Sequence, residues 1–307
     1  MMNLTEMTMY HQPVLLKKSV DELVWNPAGT YVDLTFGGGG HSRAILEKLS
    51  PEGQLFAFDQ DPESAANAGG LNLTFIPANF RFLKRYLKLH GVPKVHGILG
   101  DLGVSSHQFD VPDRGFSTRF EGPLDMRMDT TKETTAASIL NSYSEGQLHQ
   151  LFGMYGEVKN AKSLAQAIVS ERVQNSLQTV DNLKQVLNRF APKGREFKYY
   201  AQVFQALRIQ VNEELDVLKE LLTQCAEVLL PQGRLVVISY HSLEDRLVKN
   251  LMAKGNLVGE VQQDFYGNIQ RPFRPITRKP IIPSPEEIAE NNRARSAKLR
   301  VAERIVS

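Results

Sequence analysis

A chain of 307 residues, 42% hydrophobic and 23% charged, has the makings of a soluble globular protein with one large domain or two smaller ones, which excludes disordered and fibrous classes. Its longest apolar runs are strand-length and no basic stretch with an apolar core opens it, so neither a membrane span nor a targeting segment is expected. A single cysteine, Cys225, excludes an internal disulfide and argues for a reducing compartment, while a net charge of +2 decides nothing by itself.

Residues 14–25 read as an amphipathic helix and 30–34 as a strand that runs into four successive glycines, Gly37 to Gly40. A helix restarts at 41–49, followed by a strand at 54–59, a helix at 62–68, a strand at 73–77, a helix at 80–89 and a strand at 95–101. Such alternation predicts an α/β fold with a doubly wound, mostly parallel sheet. It stops between 109 and 200, where the chain is first loop-like and charged and then, from 144 to 190, helical in pattern. Helical periodicity resumes over 203–230, Pro231-Gln232-Gly233 breaks it, and 234–239 supplies a further buried strand. A helix at 243–253 and a mixed β-like stretch follow. Ser284-Pro285-Glu286-Glu287 then combines an N-cap serine, a first-turn proline and a capping-box glutamate, which predicts a tail helix. The resulting expectation is one discontinuous domain, 1–108 with 201–307, around an inserted, mainly helical domain at 109–200. Cys225 lies in the amphipathic stretch 213–230, where packing is its expected role, and no Cys-x-x-Cys or His-x-x-His spacing suggests a metal site.

Each polar motif falls at the carboxyl end of an expected strand, which is where open parallel sheets bind their ligands. The glycines follow the first strand, Asp59-Gln60-Asp61 the second, Asn79-Phe80 the third, Asp101-Leu102-Gly103-Val104-Ser105-Ser106 the fourth, and Tyr240-His241-Ser242 the fifth. Bare glycine backbone lets a ligand approach the main chain, and the helix beyond it offers unpaired N–H groups. Asp59 lies about twenty residues past the glycines, the separation at which a carboxylate accepts hydrogen bonds from ribose hydroxyls. The full G-x-G-x-x-G fingerprint fails because Ser42 stands third after Gly39, which disfavours a nicotinamide dinucleotide. S-adenosylmethionine, a nucleoside carrying an ammonium and a sulfonium in place of phosphates, suits the nearby carboxylates Asp33 and Asp101. Between 271 and 304 the tail is locally cationic, Arg293, Arg295, Lys298 and Arg300 included. A phosphate-backbone footprint and a solvated basic helix both produce such a stripe.

The segments Asp33-Leu-Thr-Phe-Gly-Gly-Gly-Gly-His-Ser, Asp59-Gln-Asp-Pro, Asp101-Leu-Gly-Val-Ser-Ser, Arg114-Gly-Phe-Ser, Gly122-Pro-Leu-Asp-Met-Arg-Met-Asp, Val203-Phe-Gln-Ala-Leu-Arg-Ile, His241-Ser-Leu-Glu-Asp-Arg and Asn292-Arg-Ala-Arg-Ser-Ala-Lys-Leu-Arg occur in order over essentially the whole chain. Together they resemble the bacterial 16S rRNA cytosine-N4 methyltransferase family. The resemblance implies a class I methyltransferase fold with a helical substrate-recognition insertion, a cytoplasmic location, and transfer of a methyl group from S-adenosylmethionine to a cytidine amine in the decoding region of the small ribosomal subunit. It implies no membrane partner and leaves room for a homodimer. Two segments depart from the family pattern: Gly156-Glu157-Val158 in place of Gly-Glu-Glu, and Gly194-Arg-Glu-Phe-Lys-Tyr-Tyr in place of a His-Pro segment.

Carried over by motif, Gly37, Gly39, Gly40 and His41 would hold the methionine part of the cofactor, Asp59 its ribose and Phe80 its adenine, with Asp101 and Gln108 completing the set. Cytosine N4 is a poor nucleophile because its lone pair is conjugated with the ring, so a hydrogen-bond acceptor is needed for an N4 proton. Asp101, or a carbonyl of the turn that ends at Ser105, stands where related amine methyltransferases carry a Pro-Pro motif that this chain lacks. His241 either lines a base pocket or belongs to a helix start capped by Ser242. Phe116 either stacks on an extruded base or packs inside the insertion. Arg114 and Arg127 either bind phosphate or pair with Asp113 and Asp125. Competing readings are a methyltransferase of the same fold with another substrate, a nicotinamide-dependent oxidoreductase, and a non-catalytic RNA-binding assembly factor.

Overall fold

The computed structural model describes residues 13–267 and 269–306; the opening residues 1–12, expected to carry no targeting signal, lie outside them. The chain divides into two compact units, Met1–Gly103 with Asp216–Ser307, and Val104–Leu215.

The first unit is built on a seven-stranded sheet formed by β1 (Thr30–Asp33), β2 (Gln54–Phe58), β3 (Thr74–Ile76), β4 (Val95–Asp101), β5 (Leu229–Ser239), β6 (Phe273–Pro275) and β7 (Lys298–Arg304). Their order is β3-β2-β1-β4-β5-β7-β6. The first five are mutually parallel, whereas β7 runs antiparallel to β5 and β6 antiparallel to β7. This is the mostly parallel, doubly wound sheet expected from the alternation of strands and helices. The strands read as continuous apolar runs because both faces are covered. Val32, Phe56, Ile98, Leu235 and Val237 pack on one side with Leu218, Leu221 and Cys225, while Tyr31, Leu55, Leu99, Val236 and Ile238 pack on the other with Leu23 and Ile45. Successive side chains point to opposite faces, so each strand feeds both layers. Cys225 is fully buried, and that burial pushes its thiol up to about 12, in keeping with packing.

One expectation changes here, and another gains its bounds. Pro231-Gln232-Gly233 lies within β5 instead of ahead of it: Val95 pairs with Leu229 and Gly97 with Arg234, so the three residues are absorbed in a bulge where Gln232 takes φ 67°. The tail helix is present and short. Ser284 caps as expected, accepting from the Glu287 N–H at 3.2 Å, but the helix is only Pro285–Glu290. A 3-10 turn, Asn292–Ser296, then leads into β7.

The second unit holds helices Ala136–Ser142, Glu145–Gly156, Ala161–Gln174, Val180–Asn188 and Glu196–Asn212 around its own core. Capping boxes at Thr135, Ser144 and Thr179 start three of them. Tyr199, Val203 and Leu207 are buried in that core, and Val104 and Phe109 pack against it. The boundaries by packing therefore fall at 103/104 and 215/216, so 104–108 and 201–215 group with the helices and not with the sheet. At the two departures from the family pattern, Val158 is buried in this core, and the Tyr199 hydroxyl donates to Asn160 Oδ1 at 3.0 Å.

Candidate cofactor and methyl-transfer site

The carboxyl ends of β1, β2, β4 and β5 bring together a glycine loop, three acids, a histidine and a tyrosine, all within the first unit. Gly39 sits at φ +76° as the residue before helix Gly40–Leu46, and a Cβ there would lie 2.9 Å from the Phe36 ring. A Cβ on Gly40 would lie 2.2 Å from Pro13 Cγ. The loop is pinned on both sides: the Gly37 N–H donates to Asp59 Oδ2 at 2.7 Å, and Asn67 Nδ2 donates to the Gly37 carbonyl at 2.9 Å. Asp59 Oδ1 accepts from the Asp61 N–H at 2.9 Å, so one carboxylate ties the end of β2 to the glycine loop. Burial raises the Asp59 carboxyl to about 6 despite these donors.

Asp33, 1% exposed, accepts from Ser42 Oγ at 2.7 Å and from the Thr35 N–H at 3.1 Å, and burial raises its carboxyl too. Thr35 Oγ1 in turn accepts from the Asp101 N–H at 2.8 Å. Asp101 Oδ1 accepts from the Tyr240 hydroxyl at 2.7 Å, and its Oδ2 lies 3.8 Å from His41 Nδ1. Burial raises Asp101 to about 6, against the opposing pull of His41 and Tyr240. Tyr240 is pushed well above its ordinary value by burial and by Asp101, so it remains a donor. His41 is buried; desolvation lowers its pKa although Asp101 opposes this, and its Nε2 has no hydrogen-bond partner among the described residues.

Among the described residues, no lysine or arginine pairs with Asp33, Asp59 or Asp101. Three desolvated acids without a lysine or arginine partner, beside a glycine loop, fit a positively charged nucleoside better than a dinucleotide phosphate. Phe80 opens a 3-10 turn, Phe80–Phe82, capped by Asn79, whose side-chain amide donates to Gln60 Oε1 at 2.7 Å. It is part-buried against the sheet's apolar layer.

The MraW methylase family matches residues 8–305. The chain belongs to that family. It is 59% identical over 299 residues, 96% of this chain and 100% of the relative, to the ribosomal RNA small subunit methyltransferase H of Cytophaga hutchinsonii. Proteins of the same name from Flavobacterium johnsoniae and Bacteroides fragilis are 55% and 51% identical, over 96% and 97% of this chain and 98% and 99% of theirs. As a methylase of this fold, the chain uses S-adenosylmethionine as its methyl donor.

Other residues singled out from the sequence have local partners in the methylase. His241, not Ser242, is the N-cap of helix Ser242–Lys254: its Nδ1 accepts from the Glu244 N–H at 3.5 Å, and Glu244 Oε2 accepts from the Tyr240 N–H at 3.0 Å. Ser105 and Gln108 satisfy each other in a capping box in the second unit. Phe116 is 6% exposed inside the helical core, so stacking on a base would require it to leave that core. Arg114 is buried and donates to the carbonyls of Arg127 and Met128, while Arg127 grips Asp125 through two nitrogens. Both arginines therefore brace the 113–128 loop. Arg300 is bidentate to Asp245 at 2.7 and 3.1 Å, and Lys298 lies 3.5 Å from the same carboxylate. The backbone N–H of Arg293 donates to Asn291 Oδ1, and Arg295 is exposed. Tyr240 stands in the motif after the fifth strand, but sequence reasoning gave it no role in the site. Its only sequence signal is its place directly after a buried strand.

Proposed function

We propose that this methylase transfers a methyl group from S-adenosylmethionine to the exocyclic N4 amine of a cytidine in the decoding region of 16S rRNA, in the small ribosomal subunit of the cytoplasm. End-to-end identity of 59% with a ribosomal RNA small subunit methyltransferase H supports the RNA class. The observation that carries the chemistry is the Asp101 carboxylate at the end of β4, with one oxygen occupied by Tyr240 and the other 3.8 Å from the nearest histidine nitrogen.

Gly37, Gly39, Gly40 and His41 would hold the methionine part of the cofactor, Asp59 its ribose and Phe80 its adenine, with Asp33 and Asp101 favouring its positive charge. When bound, the cofactor supplies an electrophilic methyl group. Asp101 Oδ2, lacking a close donor, accepts one N4 proton of the cytosine, and this lets the nitrogen lone pair leave conjugation and face the methyl. With the methyl passed from the cofactor's sulfur to nitrogen, the sulfur–carbon bond being the one broken, the amine would shed that proton to the Asp101 carboxylate and then to water. Holding amine and methyl in line supplies much of the remaining acceleration. The helical unit, with its separate core, is assigned substrate recognition.

Labelled S-adenosylmethionine and small subunits lacking the modification, followed by nucleoside digestion, test the reading. N4-methylcytidine mapping to the decoding region is expected. Absence of transfer to subunits at every assembly state overturns it.

A further inference from the structure

Beyond the cofactor loop, a cavity of about 280 Å³ opens beside the carboxyl end of β5 in the first unit. Tyr240, Ile282, Pro283 and Ile288 give it an apolar wall, and Arg295 and Lys298 bring positive charge to it. None of the glycine-loop residues, Asp59 or Phe80 lines it. Its volume lies just below the range for ligand pockets, about 300–1,000 Å³, so it suits one ring and its substituent. Apolar walls joined to cationic groups match a nucleotide, with the base against carbon and the phosphate against nitrogen.

The cations of this region are not equivalent. Arg300 is held by Asp245, and Arg304 donates to the carbonyls of Ala226 and Pro272. Lys298 lies 3.5 Å from the Asp245 carboxylate that Arg300 already occupies. Arg295 is exposed and has no carboxylate partner among the described residues. Tyr240 meanwhile lines the cavity and bonds Asp101 at 2.7 Å, so the cavity lies one tyrosine side chain from the proposed proton acceptor. A base seated there has the Tyr240 side chain between it and Asp101, the place a neighbour of the reacting base takes in a splayed strand.

We infer that this cavity is a subsite for the nucleotide adjacent to the target cytidine, with Arg295 on its phosphate and the Ile282–Ile288 wall on its base. The inference rests on the RNA-methyltransferase reading and adds where the strand runs beside the reacting amine. It also separates Arg295 from the rest of the basic tail.

The test uses the full chain with S-adenosylmethionine at saturation and two probes, cytidine and a short oligoribonucleotide with a central cytidine. Arg295→Ala removes the cation, and Ser296→Trp, at an exposed position on the cavity, fills it. Both variants are expected to bind the oligoribonucleotide about tenfold more weakly and cytidine as before. Arg295→Ala should also lower the slope of log affinity against log salt by about 0.7, the value for one phosphate contact on a single strand. If Ser296→Trp melts early, Arg295→Ala alone decides. Wild-type affinity and salt slope in Arg295→Ala overturn the subsite, even when the wild-type protein methylates cytidine N4. Weakened oligoribonucleotide binding in a protein that transfers no methyl group to RNA upholds the cavity as a nucleotide site and overturns the reaction, and with it the site's place beside a target cytidine.

Discussion

Asp101 is asked to be an acceptor, and its surroundings set the conditions under which it can be one. Its carboxyl stands at about 6 because burial outweighs His41 and Tyr240, so it is ionised at neutral pH and protonated a little below. Asp101→Asn keeps the shape and removes the charge. Loss of one charge-assisted hydrogen bond of about 1.5 to 3 kcal/mol corresponds to roughly ten- to a hundredfold in the single-turnover rate at saturating cofactor. An unchanged rate would remove Asp101 from the chemistry. A second consequence concerns cofactor affinity. Asp59 and Asp101 both sit near 6, above the ordinary carboxylate value, so between about pH 4 and 6 the folded, cofactor-free protein holds more protons than the unfolded chain. That contribution to stability is fully present below about pH 4 and is lost as the pH rises through about 6. A cationic ligand reverses the preference by favouring the ionised acids. Calorimetry from pH 5 to 7 is therefore expected to record tighter S-adenosylmethionine binding as pH rises, by up to about tenfold per pH unit for each proton released, levelling above 7. A flat profile would mean that neither carboxylate faces the cofactor's charge.

Strand β7 turns a cationic tail into part of the sheet. Leu299, Val301 and Ala302 are buried, while Lys298 and Arg300 flank them and reach Asp245 in the first turn of helix Ser242–Lys254. The alternation is present in Lys298-Leu299-Arg300-Val301, but the positive charge there fits a phosphate footprint and a solvated basic helix as well as a strand. A short capped helix can stop after two turns, and nothing in the cap signals its length. The parallel strands were legible because two-sided burial leaves runs such as Leu235 to Ile238 without polar breaks. Phe116 and Arg114 were ambiguous because an aromatic and an arginine in a glycine-containing loop look alike whether they face a ligand or a core. His241 and Ser242 differ as caps by one residue, finer than sequence pattern resolves. Arg300→Ala discriminates between a structural and a ligand-binding arginine. Breaking a buried pair commonly costs 3–5 kcal/mol; with Lys298 still near Asp245, about 2 to 3 kcal/mol is expected from denaturant unfolding. Burial alone would raise Asp245, but Arg300 and Lys298 outweigh it and hold the carboxyl low. Its contribution is present above about pH 4 and disappears as pH falls through the depressed value, so wild type and variant should converge in acid. Unchanged stability at neutral pH would return Arg300 to the pool of ligand contacts.

At the scale of the whole molecule, the helical unit has one hydrophobic core and the sheet-bearing unit has two apolar layers, one on each face of its sheet. The sheet-bearing unit holds the glycine loop and the three acids without a lysine or arginine partner, whereas the helices from Ala136–Ser142 to Glu196–Asn212 close around Leu148, Leu164, Leu183 and Val203. A ligand stabilises what it binds by mass action, by about 2.7 kcal/mol at a hundredfold excess over Kd. Hydrogen exchange with and without S-adenosylmethionine therefore measures whether the two units open separately. Separate opening predicts slowed exchange in β1, β2, β4 and β5 and unchanged rates in peptides covering the buried faces of 145–156 and 161–174. Equal slowing throughout would mean that the two units unfold as one cooperative body. In that case cofactor binding would also stiffen the unit assigned to RNA, and occupancy of the glycine loop would bear directly on substrate affinity.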